Sequence, residues 1–186
     1  MLIATPVTPS VDNMNDEEIV KLREADAKLT DDEKLANAIQ LGFDGDIDRF
    51  KEFCDVLTVA IPEKTAAVLG GSSITGHSYL EGEPFDANGP MTSDLDVTLV
   101  GPEVVNLFTL EGFWVPGIHS HPVKDGDEEI APALKPLRRK LQEIARGRPV
   151  TINATRDFYV WVRENWLGQP YLTLVGKVDE TECSDS

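Results

Sequence analysis

The chain has 186 residues, 41% of them apolar, and a formal net charge of −16. Such a length suits one domain with a short extension, and that apolar share is enough for a core. The acidity argues against a general nucleic-acid binder, and no run approaches the ~18 apolar residues of a membrane helix.

The start, MLIATPVTPSVDN, lacks the basic region and long apolar stretch of a secretory signal. Cys54 and Cys183 lie far apart, so a disulfide framework is not expected and the chain reads as a protein of the reducing cytoplasm. Charge is unevenly spread. Residues 70–130 hold 1 basic and 11 acidic groups, whereas residues 131–178 hold 9 basic and 3 acidic ones. The first of these segments is suited to binding a metal. The second is a solvated helix face or a surface for phosphates.

Taken in order, residues 1–14 have no periodicity, with Pro6 and Pro9 among them. Asn15 with Glu18 and Thr30 with Glu33 are capping boxes, which predict two helices. Ile19, Leu22, Ala25 and Leu29 share one face, Leu35, Ala38 and Ile39 another, and Gly42 is a stop. Residues 1–45 thus form a tail and a helical extension. In Gly42 to Asp48, the residues Asp44, Asp46 and Asp48 alternate as in a calcium loop. An EF-hand needs Glu at its twelfth position, which here is Asp55, so the stretch reads as a turn into a helix. That helix, about 46–60, is expected to turn Ile47, Phe50, Cys54, Leu57 and Ile61 inward and to end before Pro62.

The organising stretch is 66–101. An apolar strand, Ala66 to Leu69, runs into Gly70-Gly71-Ser72-Ser73. A loop rich in glycine and proline follows, with Phe85 as its anchor and His77 in solvent. Then comes Ser93-Asp94-Leu95-Asp96 and the apolar run Val97 to Val100. On a strand, Asp94 and Asp96 leave one face while Leu95 and Val97 enter the core. Two carboxylates so close raise each other's pKa, and a divalent cation relieves that conflict. A glycine turn lets the backbone approach a ligand, and a helix beginning there suits a phosphate. An anion cradle beside a cation clamp fits a nucleoside triphosphate carrying Mg²⁺.

Gly71-Ser72 followed by Asp94-Leu95-Asp96 on an apolar strand resembles the signature of the DNA polymerase β-like nucleotidyltransferase superfamily. Ser72 to Gly76, Gly82 to Asp86 and Ser93 to Asp96 are similar to a bacterial branch of small stand-alone and toxin-associated proteins. The resemblance spans roughly residues 46–178. It implies an α+β fold, a small mixed sheet with helices mainly on one face. It also implies transfer of a nucleoside monophosphate from a Mg²⁺-bound nucleotide to a hydroxyl of a protein, RNA or small molecule. Asp94 and Asp96 would hold the metal and Gly71, Ser72 and Ser73 the phosphates, with cationic help from Arg138, Arg139 or Arg148. These families usually take a third carboxylate from a later strand. The corresponding stretch, Pro149 to Asn153, offers only Thr151 and Asn153, and Asn153 is the expected third position. Asn cannot act as a general base. The alternative is therefore a weak or inactive binding protein of the same fold, holding a nucleotide or a protein partner, within a toxin–antitoxin or phage-related system.

Residues 112–123 are apolar and broken by Pro116, Gly117 and Pro122. His119 and His121 alternate there, but with His77 and a core Cys54 they do not make a zinc set. Phe113 and Trp114 read as core or pocket wall. A helix opens at Pro136 with Leu134, Leu137, Leu141 and Ile144 on one side, and Gly147 stops it. Arg148 to Asn153 is a strand. Thr155 to Trp166 is helical, burying Phe158, Val162 and Trp166. Tyr171 to Val175 is the last strand, and residues 179–186 form an acidic tail.

Overall fold

A computed structural model describes residues 15–161 and 169–178. The predicted roles of residues 1–14, Val162, Trp166, Cys183 and the tail 179–186 lie outside the described residues.

Helix α1 (Asp16–Asp26) and helix α2 (Asp31–Asn37) open on the two capping boxes. The Asn15 side chain accepts from the Glu18 amide at 3.1 Å while the Glu18 carboxylate accepts from the Asn15 amide at 2.9 Å. Thr30 and Glu33 repeat the exchange. Helix α2 widens into one π-type turn, Ala38–Gly42, which sets Ala38 and Phe43 in the main core. Asp44 and Gly45 take left-handed backbone, and Asp46 caps helix α3 (Ile47–Ala60) by accepting from the Arg49 amide. The 42–48 stretch is thus the turn into a helix.

Helix α3 buries Phe53 and Leu57, but Ile47 is 50% exposed, contrary to the inward face predicted for it. The cause is Phe43. It is already buried by the preceding turn, and it packs edge-on against Phe50 and Phe53 with ring centroids 5.5 and 5.2 Å apart. Those aromatic contacts decide which stripe of the helix faces in. Cys54 is half-buried, and burial with Asp55 beside it raises its thiol pKa to about 11, so it stays protonated.

The described strands are β1 (Ala66–Gly70), β2 (Leu95–Val100), β3 (Phe113–Val115), β4 (His119–Ser120), β5 (Val150–Thr155) and β6 (Leu172–Val175). They form one mixed sheet in the order β3-β4-β5-β2-β1-β6. Strands β1 and β2 are antiparallel, whereas β2 and β5 are parallel. Helix α4 (Ser72–Thr75) follows β1, helix α5 (Lys135–Ile144) precedes β5, and helix α6 (Phe158–Trp161) follows it.

Alternation along the strands divides the sheet into two faces. Ala67, Leu69, Leu95, Val97, Leu99, Val150, Ile152 and Ala154 belong to the main core, together with Phe53 and Leu57 of α3 and Leu137, Leu141 and Ile144 of α5. The opposite face carries Ala66, Val68 and Val100, covered by Phe158 and Val178 in a smaller cluster. On that same face, by register, lie Asp96, Thr98, Thr151 and Asn153. The chain is therefore α+β, with α3 and α5 packed on one side of the sheet. No helix among the described residues is long and apolar enough to cross a membrane.

The N-terminal helices are docked on the rest. Asn37 donates to the Ile74 carbonyl at 2.7 Å, and Arg23 donates to the Tyr79 carbonyl at 3.0 Å while its guanidinium covers the Tyr79 ring. His77 does not sit in solvent as predicted. It pairs with the buried Asp26 at 2.9 Å, so the 76–82 loop is held by α1.

Candidate functional site

The antiparallel register places Gly70 opposite Asp96, so the glycine turn closes directly over the second carboxylate. Gly71 has φ +73°, and a Cβ there would collide with the Asp96 carboxylate. Two demands thus meet in one residue: left-handed backbone and room for a neighbouring carboxylate. The helix that follows is a single turn, Ser72–Thr75. Ser73 is buried and its hydroxyl donates back to the Gly70 carbonyl at 3.1 Å, so it braces the turn. Ser72 remains half-exposed at the mouth.

Asp94 stands just before β2 and Asp96 within it. Burial raises the pKa of Asp96 first and repulsion from Asp94 second, to about 6, against the lowering effect of a hydrogen bond from Thr151. Burial also raises Asp94, opposed in part by the charge of Lys124. Among the described residues, neither carboxylate forms an ion pair with a lysine or arginine. The pair is an acidic patch that no ion pair neutralises among the described residues, recessed but reachable.

Strand β5 supplies the neighbour. Its parallel register sets Thr151 beside Asp96 and Asn153 beside Thr98. Thr151 Oγ1 donates to Asp96 Oδ1 at 2.7 Å. The expected third position is therefore corrected: Thr151, not Asn153, adjoins the pair. Asn153 lies one pleat farther along, its Oδ1 buried with no partner among the described residues. The parallel pairing of these strands decides the matter, and a single sequence does not state a register.

The three arginines also need correction. Arg138 lies on α5, on the helical side of the sheet, and is fully buried. It donates to the Val150 carbonyl at 2.9 Å and pairs with Asp125 and Glu128. Arg139, its neighbour on α5, is exposed. Arg148 is 2% exposed and forks onto Asp86 at 2.8 and 2.9 Å, while also donating to the Ser93 carbonyl at 2.8 Å and lying over the Phe85 ring. None of the three faces the Asp pair as a free cation. Arg148 is a positioning residue, because it ties the residue before Asp94 to the loop. Asp86 reinforces the tie by accepting from the Met91 and Ser93 amides. The Arg148 guanidinium holds the Asp86 carboxyl well below the usual carboxylate range.

The cation that does reach the site was not singled out by sequence reasoning. Val123 bridges Ile152 in antiparallel fashion, which brings Lys124 opposite Thr151. Val123 enters the core, so Lys124 leaves toward the carboxylates. Its signal in the sequence is plain afterwards: it is the only basic residue between positions 70 and 130. Lys124 also lines a cavity of about 290 Å³ with Trp114, His121, Pro122, Asp127 and Ile130. Trp114 is thus pocket wall, while Phe113 packs on the core. The three histidines have separate roles. His77 meets Asp26, His121 lies against Trp114, and the buried His119 contacts Thr155 Oγ1 at 2.7 Å.

The donor set suits a hard cation. Among the described residues no group of three or more His, Cys, Asp or Glu side chains is placed to hold a metal. Two all-oxygen ligands, with substrate phosphates and water completing the shell, is the usual mode for Mg²⁺. Thr151 orients one of those ligands, as outer-shell hydrogen bonds do. No protein-family profile, no curated protein and no solved structure matches the chain.

Proposed function

We propose that the chain is a Mg²⁺-dependent nucleotidyltransferase, which moves a nucleoside monophosphate from a nucleoside triphosphate to a hydroxyl acceptor. The observation that carries this reading is the closure of Gly71 over Asp96. It sets a glycine turn against the second of two carboxylates that no ion pair neutralises among the described residues, across two adjacent strands. Asp94 and Asp96 hold the cation, and Gly71 with Ser72 receives the β- and γ-phosphates. Lys124 adds positive charge on the far side of Thr151. When bound, Mg²⁺ neutralises charge on the attacking and leaving oxygens. The acceptor oxygen bonds to the α-phosphorus as the α–β anhydride breaks, the hydroxyl proton passes to water, and pyrophosphate leaves.

Calorimetry with Mg²⁺ and ATP, GTP, CTP or UTP tests the reading before any acceptor is known. Micromolar-range binding that needs Mg²⁺ and disappears in the Asp94→Asn, Asp96→Asn double variant is expected, and nucleotide consumption falls below detection in that variant. Unchanged turnover in the double variant eliminates the proposal.

One observation favours a second reading. Thr151 occupies the strand position nearest the pair where a carboxylate would serve as proton acceptor. A nucleotide- or partner-binding protein without turnover, of toxin–antitoxin or phage-related type, needs no such base. Steady Mg²⁺-dependent release of pyrophosphate by the purified chain removes that reading.

A further inference from the structure

The cavity beside Lys124 is not used by the metal-and-phosphate reading. Phe113 packs on the core, while Trp114, next along β3, is 67% exposed. A large aromatic left this open is costly to leave wet, and here it is not loose. Its ring lies against His121 with centroids 4.0 Å apart, which fixes the plane it presents. Lys124 and Asp127 stand on the rim and Ile130 closes the apolar wall.

Lys124, on its rim, is the residue that links it to the carboxylates through the sheet. Asp96, Thr151 and Lys124 are neighbours across β2, β5 and the segment that continues from β4. Two strand spacings, roughly 10 Å, separate Asp96 from Lys124. A ribose and base extending from a metal-held α-phosphate fill such a span. The glycine turn lies on the other side of Asp96, at the end of β1, where the β- and γ-phosphates are proposed to sit. The site is therefore polarised along the sheet. Its phosphate end is built of backbone, its middle of carboxylates, and its far end of an aromatic plane with a cation on the near rim.

We infer that the Trp114–His121 cavity is the nucleobase subsite, in which the base of the nucleoside triphosphate stacks on Trp114 with Lys124 beside the sugar–phosphate. Stacking on an indole face needs no particular hydrogen-bonding edge, so all four bases are accepted. The inference rests on the proposed function, and the test separates the two.

Wild type, Trp114→Ala and Trp114→Phe are titrated with Mg²⁺-ATP, -GTP, -CTP and -UTP and with Mg²⁺-tripolyphosphate, which carries no base. Loss of one stacked base by alanine substitution predicts roughly tenfold or more weaker binding of each nucleotide. Tripolyphosphate binding is unchanged, and Trp114→Phe regains most of the nucleotide affinity. Because Trp114 is so exposed, the alanine variant keeps its fold, which circular dichroism verifies. Trp114→Ala binding nucleotides as wild type does, or losing nucleotide and tripolyphosphate equally, overturns the inference and leaves the metal–phosphate reading intact. If wild type binds none of the five ligands, both fail.

Discussion

Asp86 and Asp96 are ten positions apart and bear the same side chain, yet their surroundings drive them in opposite directions. Asp86 faces the Arg148 guanidinium and two backbone amides, which hold its carboxyl well below the usual range. Asp96 faces burial and a second carboxylate, which raise its pKa to about 6. One region has its charge matched by the protein. The other has been left for something outside the protein to match. A structural acid is completed by the fold, whereas a binding acid is paid for in stability until its ligand arrives.

The comparison breaks most visibly at Asp86. Asp86→Ala leaves Arg148 buried without its counter-charge, and removing one partner of a buried pair costs about 3–5 kcal/mol. Urea denaturation at neutral pH checks this. A loss of less than ~1 kcal/mol would show that the Ser93 carbonyl and the Phe85 ring suffice for the guanidinium. The lost contribution also has a pH signature. A depressed carboxylate stabilises above its unfolded pKa near 4, and that stability disappears as pH falls through the folded value.

Asp96 has the reverse sign. Its folded pKa exceeds the unfolded one, so its contribution is most favourable below about pH 4 and declines as pH rises toward 6. Asp96→Asn removes the ionisation and is expected to stabilise the metal-free chain by about 1–3 kcal/mol at pH 7.5. The gain vanishes below pH ~4, where the wild-type carboxyl is protonated too. Thermal melts across that range with a chelator present would contradict the comparison if the variant were less stable at every pH.

The smallest of these effects sharpens the comparison from within the site. Thr151→Val deletes the one hydrogen bond among the described residues that favours ionised Asp96. The Asp96 pKa then rises further, and Mg²⁺ affinity falls by about tenfold, the lower end of what an outer-shell partner contributes. Metal titration followed by calorimetry reads the change, and equal affinities would remove Thr151 from the site.

Much of this was legible along the chain. Both capping boxes lie in contiguous sequence, and so do the apolar run before Gly71 and the alternation that sends Asp94 and Asp96 out of one face. Each depends on neighbours only a few positions away. The losses share a different cause. Phe43 outcompeted Ile47 for the core, His77 found Asp26 on a helix 51 residues earlier, and Arg148 found Asp86 62 residues earlier. A basic helix face suggested phosphate contacts, but α5 packs on the far side of the sheet from the carboxylates and carries Arg138 there, where Asp125 and Glu128 claim it.

By itself, the sequence determined the kinds of group available: a glycine turn, two like-facing carboxylates, a strand without a third acid, and one cation in an acidic stretch. Local chemistry and strand period suffice for that. The tertiary structure alone decided which of them meet. Parallel pairing chose Thr151 over Asn153, an antiparallel bridge brought Lys124 across to the pair, and a buried fork took Arg148 away from it. Register and sidedness are properties of chain segments that find each other in space, and they are set by the sum of the packing on both faces rather than by any one segment's composition.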